Sequence, residues 1–448
     1  MPYQKQLLYP LEGSEVGRSS GDRRARIAVT ALLAAMLANG NFMPELTTIL
    51  AGMAAFMLAG AAPLKRSLGL CLPLVVASLI GALITIVWGV FAWDALRATY
   101  IYVRVPLHLA LGIAIIVRFQ DLRILMNAII LAAAGLAVYF LFRYFTMSDQ
   151  ASESRYLLRL ATAGGWNILP FAIGIAIYLM RVWVNRPLIV TQSVLIVVGL
   201  SVLTIILSQS RTAAVGAIVI VAFLFGMAPV RGYARIWTPL IILALFLLTT
   251  PALNFFLPID VIGLIDESAP ASVRELLAID RLDQAGVNDY WRGYETFTAF
   301  HYVESRGPEA IAFGTGLHSL VPLRNLQLLQ GEQSFGEIPV FHNLFSFALV
   351  RGGLVGIGLV GLFYTILAIP LQALAESPKR TIRLFGRLAC GVHFSSILAI
   401  PATTGLLNAT ELAASTLVLI GAAIAVWDIE RRNDVMRQNG PLFASYPL

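Results

Sequence analysis

Residues 124–142 read ILMNAIILAAAGLAVYFLF, an uncharged run of 19 residues between Arg123 and Arg143. A helix rises about 1.5 Å per residue, so a run of this length spans the ~30 Å hydrocarbon core of a bilayer. Across the 448 residues, 58% are hydrophobic and only 13% are charged. Soluble domains carry about 25% charged residues. This composition excludes a water-soluble enzyme and predicts an all-α polytopic membrane protein.

Twelve apolar runs are present in the sequence, and each predicts one transmembrane helix. They span residues 27–44, 46–63, 68–92, 97–117, 123–145, 165–181, 187–208, 212–229, 235–257, 342–373, 384–402 and 408–427. We therefore expect three regions. Residues 1–257 form nine spans, residues 258–341 form one large loop, and residues 342–448 form three spans and a tail.

The positions of the basic residues predict the orientation of these spans. If the amino terminus is cytoplasmic, the predicted inner segments hold 20 of the 32 basic residues, and every inner segment holds at least two. Cytoplasmic loops of membrane proteins are enriched in Lys and Arg. We therefore expect both termini in the cytoplasm and the large loop on the outer side. The net charge of +7 then reflects topology, and no nucleic-acid partner is expected.

The large loop has 12 acidic residues and five arginines, a net charge of −7. Residues 272–284 (SVRELLAIDRLDQ) begin with a capping box and predict an amphipathic helix. A second helix is predicted near residues 289–305, ending at Gly307-Pro308. Connections of this length in compact folds are usually functional.

The twelve basic residues outside the predicted inner segments are all arginine. They are Arg97, Arg104, Arg143, Arg155, Arg159, Arg211, Arg274, Arg281, Arg292, Arg306, Arg324 and Arg351. Arginine keeps its charge and presents a fixed fork of donors that binds phosphate bidentately. The pattern therefore indicates an anionic, phosphate-bearing ligand.

Arg97, Arg104 and His108 share one face of the predicted fourth span. An arginine inside a membrane is costly and faces a partner or a water-filled cavity. Either this face lines a polar cavity that opens outward, or Arg97 has a structural role. In the second case Arg97 forms a salt bridge to Asp94 or extends its side chain to the membrane interface.

Arg211 lies in the sequence SQSRTAAVG, where the seventh span meets the eighth. The amino terminus of a helix favours anions. Arg211 with Ser208 and Ser210 therefore predicts a phosphate-binding turn, the alternative being an arginine that anchors the helix at the interface.

His342 lies where the large loop re-enters the membrane, in HNLFSFALVRGGLVG. On a continuous helix, Gly353 and Gly356 fall within about 40° of the His342 face. They would form a groove that a helix or a lipid chain approaches closely. Arg351 falls on the opposite face and is expected to bind an ion-pair partner or backbone carbonyls. A histidine can act as a catalytic base, and His301 and His318 in the loop are alternatives to His342 for that role. Both are more typical of solvated or packed loop histidines.

The string His342-Asn343, nine residues, Gly353, two residues, Gly356 resembles the signature of the O-antigen ligases, members of the O-antigen ligase and polymerase superfamily. The SQSRT segment looks like the Ser-x-Ser-Arg element of that family. Arg292 in YWRGYETFTAF looks like its loop arginine. The predicted architecture is also similar, with about twelve spans and one large periplasmic loop, a fold that resembles glycosyltransferases of type C.

This resemblance implies an inverting transfer of O-antigen from undecaprenyl pyrophosphate to a sugar of lipid A–core, in the bacterial inner membrane, with the active site facing the periplasm. It implies no metal and no other cofactor. His342 would be the general base, or the group that orients the acceptor, and Arg211 and Arg292 would hold the pyrophosphate. The remaining predicted substrate contacts are Arg104, Arg97, Ser210, Asn343, Gly353 and Gly356. Membrane lipids would surround the spans.

Three alternatives fit the same sequence. An O-antigen polymerase would use a second lipid-linked glycan as acceptor, but no loop arginine has a glycine 11 residues later, as polymerase loops tend to show. A protein O-oligosaccharyltransferase carries a similar histidine motif. A transporter of lipid-linked oligosaccharides would also use intramembrane arginines, although no inverted repeat is visible.

Overall fold

The structure is a computed structural model. It describes residues 20–39, 43–87, 93–146, 168–182, 188–208, 210–250, 287–322, 328–330, 333–335, 337–338, 341–402, 405–407 and 411–439. The helix predicted at residues 272–284 lies outside these residues. So do Arg155, Arg159, Arg274, Arg281 and Arg324.

Each of the twelve apolar runs contains a described helix. The amino-terminal helices are α1 (Ser20–Ala38), α2 (Pro44–Ala59), α3 (Ala62–Leu70), α4 (Leu72–Val87), α5 (Trp93–Phe119), α6 (Leu122–Thr146), α7 (Leu169–Val182), α8 (Leu188–Ser208), α9 (Arg211–Phe225) and α10 (Thr238–Thr249), which follows a π-helical turn at Tyr233–Trp237. The large loop contributes α11 (Val287–Glu304) and α12 (Pro308–Phe313). The carboxy-terminal helices are α13 (Leu344–Ala375), α14 (Arg380–Leu398) and α15 (Glu411–Asn439), with a 3₁₀ turn at Gly405–Leu407.

Among the described residues, four helices are long and apolar enough to cross a membrane: Ala98–Phe119, Leu122–Thr146, Leu344–Ala375 and Ala413–Val435. A fifth is present if α3 and α4, which meet at a bend of 70°, form one span. Several shorter apolar helices accompany them. Large apolar side chains such as Leu83 and Phe142 are exposed on the helix surfaces. The chain is therefore an all-α membrane protein, and the count of twelve spans stays a prediction.

Helices α5 and α15 form a closely packed pair through two glycines. A Cβ atom at Gly112 would lie 2.8 Å from the backbone nitrogen of Ala422, and one at Gly421 would lie 3.0 Å from the backbone carbon of Leu109. Small residues let helix backbones approach one another inside a membrane, where van der Waals packing replaces the hydrophobic driving force. This crossing fixes α5 against the carboxy-terminal helices.

Helix α13 is interrupted at Gly353, whose backbone has φ 64° and ψ −159°. That conformation is essentially restricted to glycine. The expectation that Gly353 and Gly356 continue the helical face of His342 is therefore wrong, because the helical periodicity stops at Gly353. Of the two expected occupants of the space beside Gly353, a helix or a lipid chain, the structure places a helix there, the end of α12. A Cβ atom at Gly353 would lie less than 3.0 Å from the backbone of Ala312 and Phe313.

The segment after α12 is held between α4 and the interrupted part of α13. The Thr315 backbone nitrogen and hydroxyl donate to the Val350 carbonyl at 2.8 and 3.0 Å. The Leu317 backbone nitrogen donates to the Thr85 hydroxyl at 2.8 Å. The buried Arg351 guanidinium donates to the carbonyls of Leu317 and Gly316. This confirms the prediction that Arg351 binds backbone carbonyls.

Short antiparallel strands lead from this segment to α13. Strand β1 (Val321–Pro322) pairs with β4 (Glu337–Ile338), and β2 (Leu328–Gln330) pairs with β3 (Gln333–Phe335). The pairing of Val321 with Ile338 returns the chain to the amino terminus of α13. His342 therefore lies at the junction of the loop and the helical bundle.

Candidate functional site

The site is centred on a contact between His342 and Glu295. One Glu295 carboxylate oxygen accepts a hydrogen bond from the His342 backbone nitrogen, and the other lies 2.9 Å from His342 Nδ1. The Glu295 side chain is fully buried, whereas the His342 side chain is 55% exposed. A buried carboxylate thus binds His342 at two points, the backbone nitrogen and the exposed imidazole. The ring is bound through Nδ1, so Nε2 is the nitrogen available to a substrate.

Helix α11 brings Arg292 to this pair. Arg292 precedes Glu295 by three residues on α11, so the two side chains lie on one face with Cβ atoms about 5–6 Å apart. Arg292 is half-buried. The predicted cation and the predicted base, which are 50 positions apart in the sequence, are thus both neighbours of Glu295, Arg292 by its position on α11 and His342 by direct contact.

Asn343 and Thr296 join the two helices that carry the site. Asn343 is the N-cap of α13, and its side-chain oxygen accepts from the Phe345 backbone nitrogen at 2.8 Å. Its side-chain nitrogen donates to the Thr296 hydroxyl at 3.0 Å. The Ser346 hydroxyl lies 3.3 Å from the same Thr296 oxygen. Asn343 is buried. Its described contacts connect α11 to the start of α13, and they thereby position the adjacent His342.

Ser210 and Arg211 form the amino terminus of α9. The Ser210 hydroxyl accepts from the Ala213 backbone nitrogen at 3.3 Å, as the predicted helix start requires. Arg211 is the first residue of α9 and is exposed. Helix α9 packs along α14, and a Cβ atom at Gly216 would lie 2.7 Å from the Ser395 hydroxyl.

Helix α14 ends beside the amino terminus of α13, because the Leu344 backbone nitrogen donates to the Ile400 carbonyl at 3.1 Å. Since Ser395 lies in the last turn of α14, the amino termini of α9 and α13 lie at one end of the bundle. Arg211 and His342 therefore share that end.

Arg104 and His108 face a different part of the bundle. Both are buried, and His108 Nδ1 lies 2.8 Å from the Arg104 carbonyl. Tyr100, one turn before Arg104, bonds to Thr48 of α2 at 2.9 Å. Arg104 therefore lies on the part of α5 that contacts α2.

Tyr102 identifies the opposite face of α5, because its ring contacts Phe347 of α13 at 5.8 Å between centroids. Two residues turn a helix by about 200°, which directs Arg104 away from α13. The prediction for the Arg97 side chain lies outside the described residues.

The loop histidines occupy separate positions. His318 Nδ1 lies 3.3 Å from the Thr85 hydroxyl. Desolvation lowers the pKa of His318, and the positive charges of Arg351 and Arg306 act in the same direction. His301 pairs with Glu304 at 3.5 Å on the exposed surface of α11. Within the described part of the chain, His, Cys, Asp and Glu side chains form no group of three or more that would hold a metal ion.

Comparisons of this chain with protein-family models, with curated proteins and with solved structures gave no match.

Glu295 is the site residue whose role the sequence did not reveal. Glu295 and Glu304 are both carboxylates that could act as bases, but their separation of nine residues places them on opposite faces of the helix, so they form no carboxylate pair. The contact with His342 spans 47 residues and depends on the tertiary fold. The sequence did indicate that Glu295 lies near the predicted site, because it follows Arg292 by one helical turn in the predicted loop helix.

Proposed function

We propose that this protein is a glycosyltransferase that moves a glycan from undecaprenyl pyrophosphate to a hydroxyl group on the outer side of the membrane. The proposal follows the O-antigen ligases that the motifs resemble, with lipid A–core as the acceptor. The observation that carries it is the exposed imidazole of His342, held by buried Glu295 one helical turn from Arg292.

The acceptor hydroxyl is a poor nucleophile and needs a base. In the proposed reaction, His342 Nε2 takes the hydroxyl proton as the oxygen forms its bond to the anomeric carbon of the donor. The bond from that carbon to the pyrophosphate oxygen breaks, and its electron pair leaves with undecaprenyl pyrophosphate. A single displacement inverts the anomeric centre. The proton on His342 then passes to water.

The leaving group gains negative charge as its bond breaks. Arg292, beside the base, and Arg211, at the start of α9, would stabilise that charge through their permanent guanidinium groups. The dipole at the amino terminus of α9 adds a favourable field for an anion. The undecaprenyl chain would lie against the exposed apolar helix surfaces, which matches the membrane setting of the bundle.

Reconstitution in liposomes tests the proposal. The purified protein receives undecaprenyl pyrophosphate-linked glycan together with lipid A–core, a second lipid-linked glycan or a protein acceptor, and mass spectrometry identifies the product. We expect glycosylated lipid A–core, with His342→Ala and Arg292→Gln each reducing its rate roughly 10²–10⁴-fold.

Arg306→Gln is the matched control, because Arg306 follows α11 and stacks over Tyr302 at 5.1 Å. It is expected to retain the wild-type rate. An active His342→Ala protein would refute the proposed base. Movement of labelled donor across the bilayer with no covalent product would instead indicate a transporter, whereas products on the other two acceptors would indicate a polymerase or a protein oligosaccharyltransferase.

A further inference from the structure

We infer that Glu295 is the positioning residue of this site, and that it acts by fixing the tautomer of His342 so that Nε2 carries the reactive lone pair. The catalytic part of this inference rests on the proposed function. The structural part, the control of the tautomer, stands independently of any reaction.

The two contacts of Glu295 differ in what they require. The His342 backbone nitrogen always carries a hydrogen, so it donates to one carboxylate oxygen. The second carboxylate oxygen, 2.9 Å from Nδ1, is also an acceptor when the carboxylate is ionised. The neutral imidazole carries one hydrogen, and this arrangement places it on Nδ1. Nε2 is then the acceptor nitrogen.

The burial of Glu295 makes this arrangement specific. Its side chain is fully buried, so water does not replace either contact. A buried carboxylate without partners is strongly unfavourable. Both oxygens of Glu295 therefore depend on His342, and the ring is held by its backbone and its side chain together. Rotation of the ring by 180°, which would exchange the nitrogens and the carbons, breaks the side-chain contact.

Among the described residues, the charged groups nearest to His342 along the elements that pack around it lie on α11 and α13. Helix α11 contributes Glu295 and Arg292. On α13, Arg351 lies nine residues further on and binds the carbonyls of Gly316 and Leu317. Residues 399–402, which bind the start of α13, carry no titratable side chain. Glu295 is therefore the carboxylate that the structure places on the imidazole.

A glutamine at position 295 separates the tautomer effect from the packing effect. Glu295→Gln keeps the size of the side chain, and its amide oxygen still accepts from the His342 backbone nitrogen. Its amide nitrogen then faces Nδ1 and donates, so Nδ1 becomes the acceptor and the hydrogen moves to Nε2. The exposed nitrogen has then lost its lone pair. The fold is retained while the base is lost.

Two measurements on the full-length protein in liposomes test this inference. The first is the rate of glycan transfer, separated into kcat and KM for the donor. For Glu295→Gln we expect kcat to fall roughly 10²–10⁴-fold with little change in KM. Glu295→Asp, which keeps the carboxylate, is expected to recover part of that loss.

The second measurement does not depend on catalysis. Diethyl pyrocarbonate modifies the unprotonated nitrogen of an exposed imidazole, and peptide mass spectrometry reports the rate at each histidine. We expect modification of His342 to slow at least about tenfold in Glu295→Gln, because Nε2 carries the hydrogen. His318, whose Nδ1 faces the Thr85 hydroxyl and neither Glu295 nor Glu304, serves as the internal reference.

Glu304→Gln is the matched control, since it makes the same change on α11 at an exposed side chain. It is expected to leave both the transfer rate and the modification of His342 unchanged.

The inference is overturned if Glu295→Gln retains kcat within about threefold of the wild type. It is also overturned if kcat falls while the modification rate of His342 stays the same, since Glu295 would then act through packing. If the wild-type protein transfers no glycan to any acceptor, the proposed function fails, and the modification rates alone decide whether Glu295 fixes the tautomer.

Discussion

Replacement of Gly353 by alanine is expected to destabilise the protein at the interruption of α13. The backbone at Gly353, with φ 64° and ψ −159°, costs a residue with a Cβ atom about 1–3 kcal/mol. The new Cβ would also lie less than 3.0 Å from backbone atoms of Ala312 and Phe313. Backbone atoms do not move aside as the end of a flexible side chain does, so we expect a total loss of about 3 kcal/mol or more.

Two neighbouring glycines provide matched controls on the same helix. No heavy atom lies within 4 Å of a Cβ built at Gly352 or at Gly358, and neither residue has a positive φ. Alanine at either position has room and gains helix propensity, so Gly352→Ala and Gly358→Ala are expected to be neutral or to stabilise by up to about 1 kcal/mol.

Thermal unfolding in detergent, followed by intrinsic fluorescence, measures these differences. We expect Gly353→Ala to lower Tm by several degrees relative to both controls, since about 1 kcal/mol shifts Tm by roughly 2–4 °C even in a large domain. Equal Tm values for Gly352→Ala and Gly353→Ala would refute the reasoning, because they would show that α13 continues through Gly353 as a regular helix.

Three further predictions concern arginine and histidine side chains. Arg351→Met leaves the buried carbonyls of Gly316 and Leu317 without their donor, so we expect a loss of about 1–3 kcal/mol in thermal unfolding, and an unchanged Tm would contradict the described contact. Arg104→Met removes a buried charge whose Nε and Nη2 atoms have no hydrogen-bond partner among the described residues. Stability is therefore expected to change by less than about 1 kcal/mol or to rise, with glycan transfer retained. A tenfold loss of transfer would show that Arg104 acts in the site. The pKa of His318 is lowered in the folded protein, so the unfolded chain takes up a proton first as the pH falls through 6.5, and stability is lost below that pH. Between pH 7 and pH 5, the Tm of His318→Gln is therefore expected to fall less than the Tm of the wild type. An equal fall in Tm for the two proteins would contradict this.

The helices were the most predictable part of the structure. Each apolar run contains a helix because a backbone in lipid satisfies its hydrogen bonds within the helix itself. The second loop helix, predicted near residues 289–305, is α11 (Val287–Glu304), and it ends before Gly307-Pro308 as the turn residues indicate. These features depend on local composition and on residues close in sequence.

The features that the sequence did not predict depend on contacts between distant segments. The bend of 70° between α3 and α4 lies at Cys71, between Gly69 and Pro73, residues that favour a kink in a helix but do not fix its angle. The interruption at Gly353 is favoured because Ala312 and Phe313 occupy the space beside it. Helical periodicity assigned that space to a groove for a helix or a lipid chain on the His342 face, since it treats α13 as one regular helix.

The candidate site also contains residues that local sequence indicated and one residue whose role depends on tertiary contacts. Local motifs marked His342, Arg292 and Arg211, because each lies at a helix end or in a recognisable string. The role of Glu295 required knowledge that α11 lies against the start of α13. Asn343 was marked as a substrate contact, but its bonds to Thr296 and to the Phe345 backbone are those that hold the two helices together.

The two-point contact between Glu295 and His342 holds the imidazole independently of the loop segment that lies between these two residues. Glu295 and His342 are 47 positions apart, and the segment between them includes the β2–β3 hairpin, yet the geometry of the imidazole is set at the two ends of that segment. Changing the length of a loop costs little free energy, about 0.6 kcal/mol for a doubling. A change in the length or sequence of the hairpin is therefore expected to leave the position of the His342 imidazole unchanged.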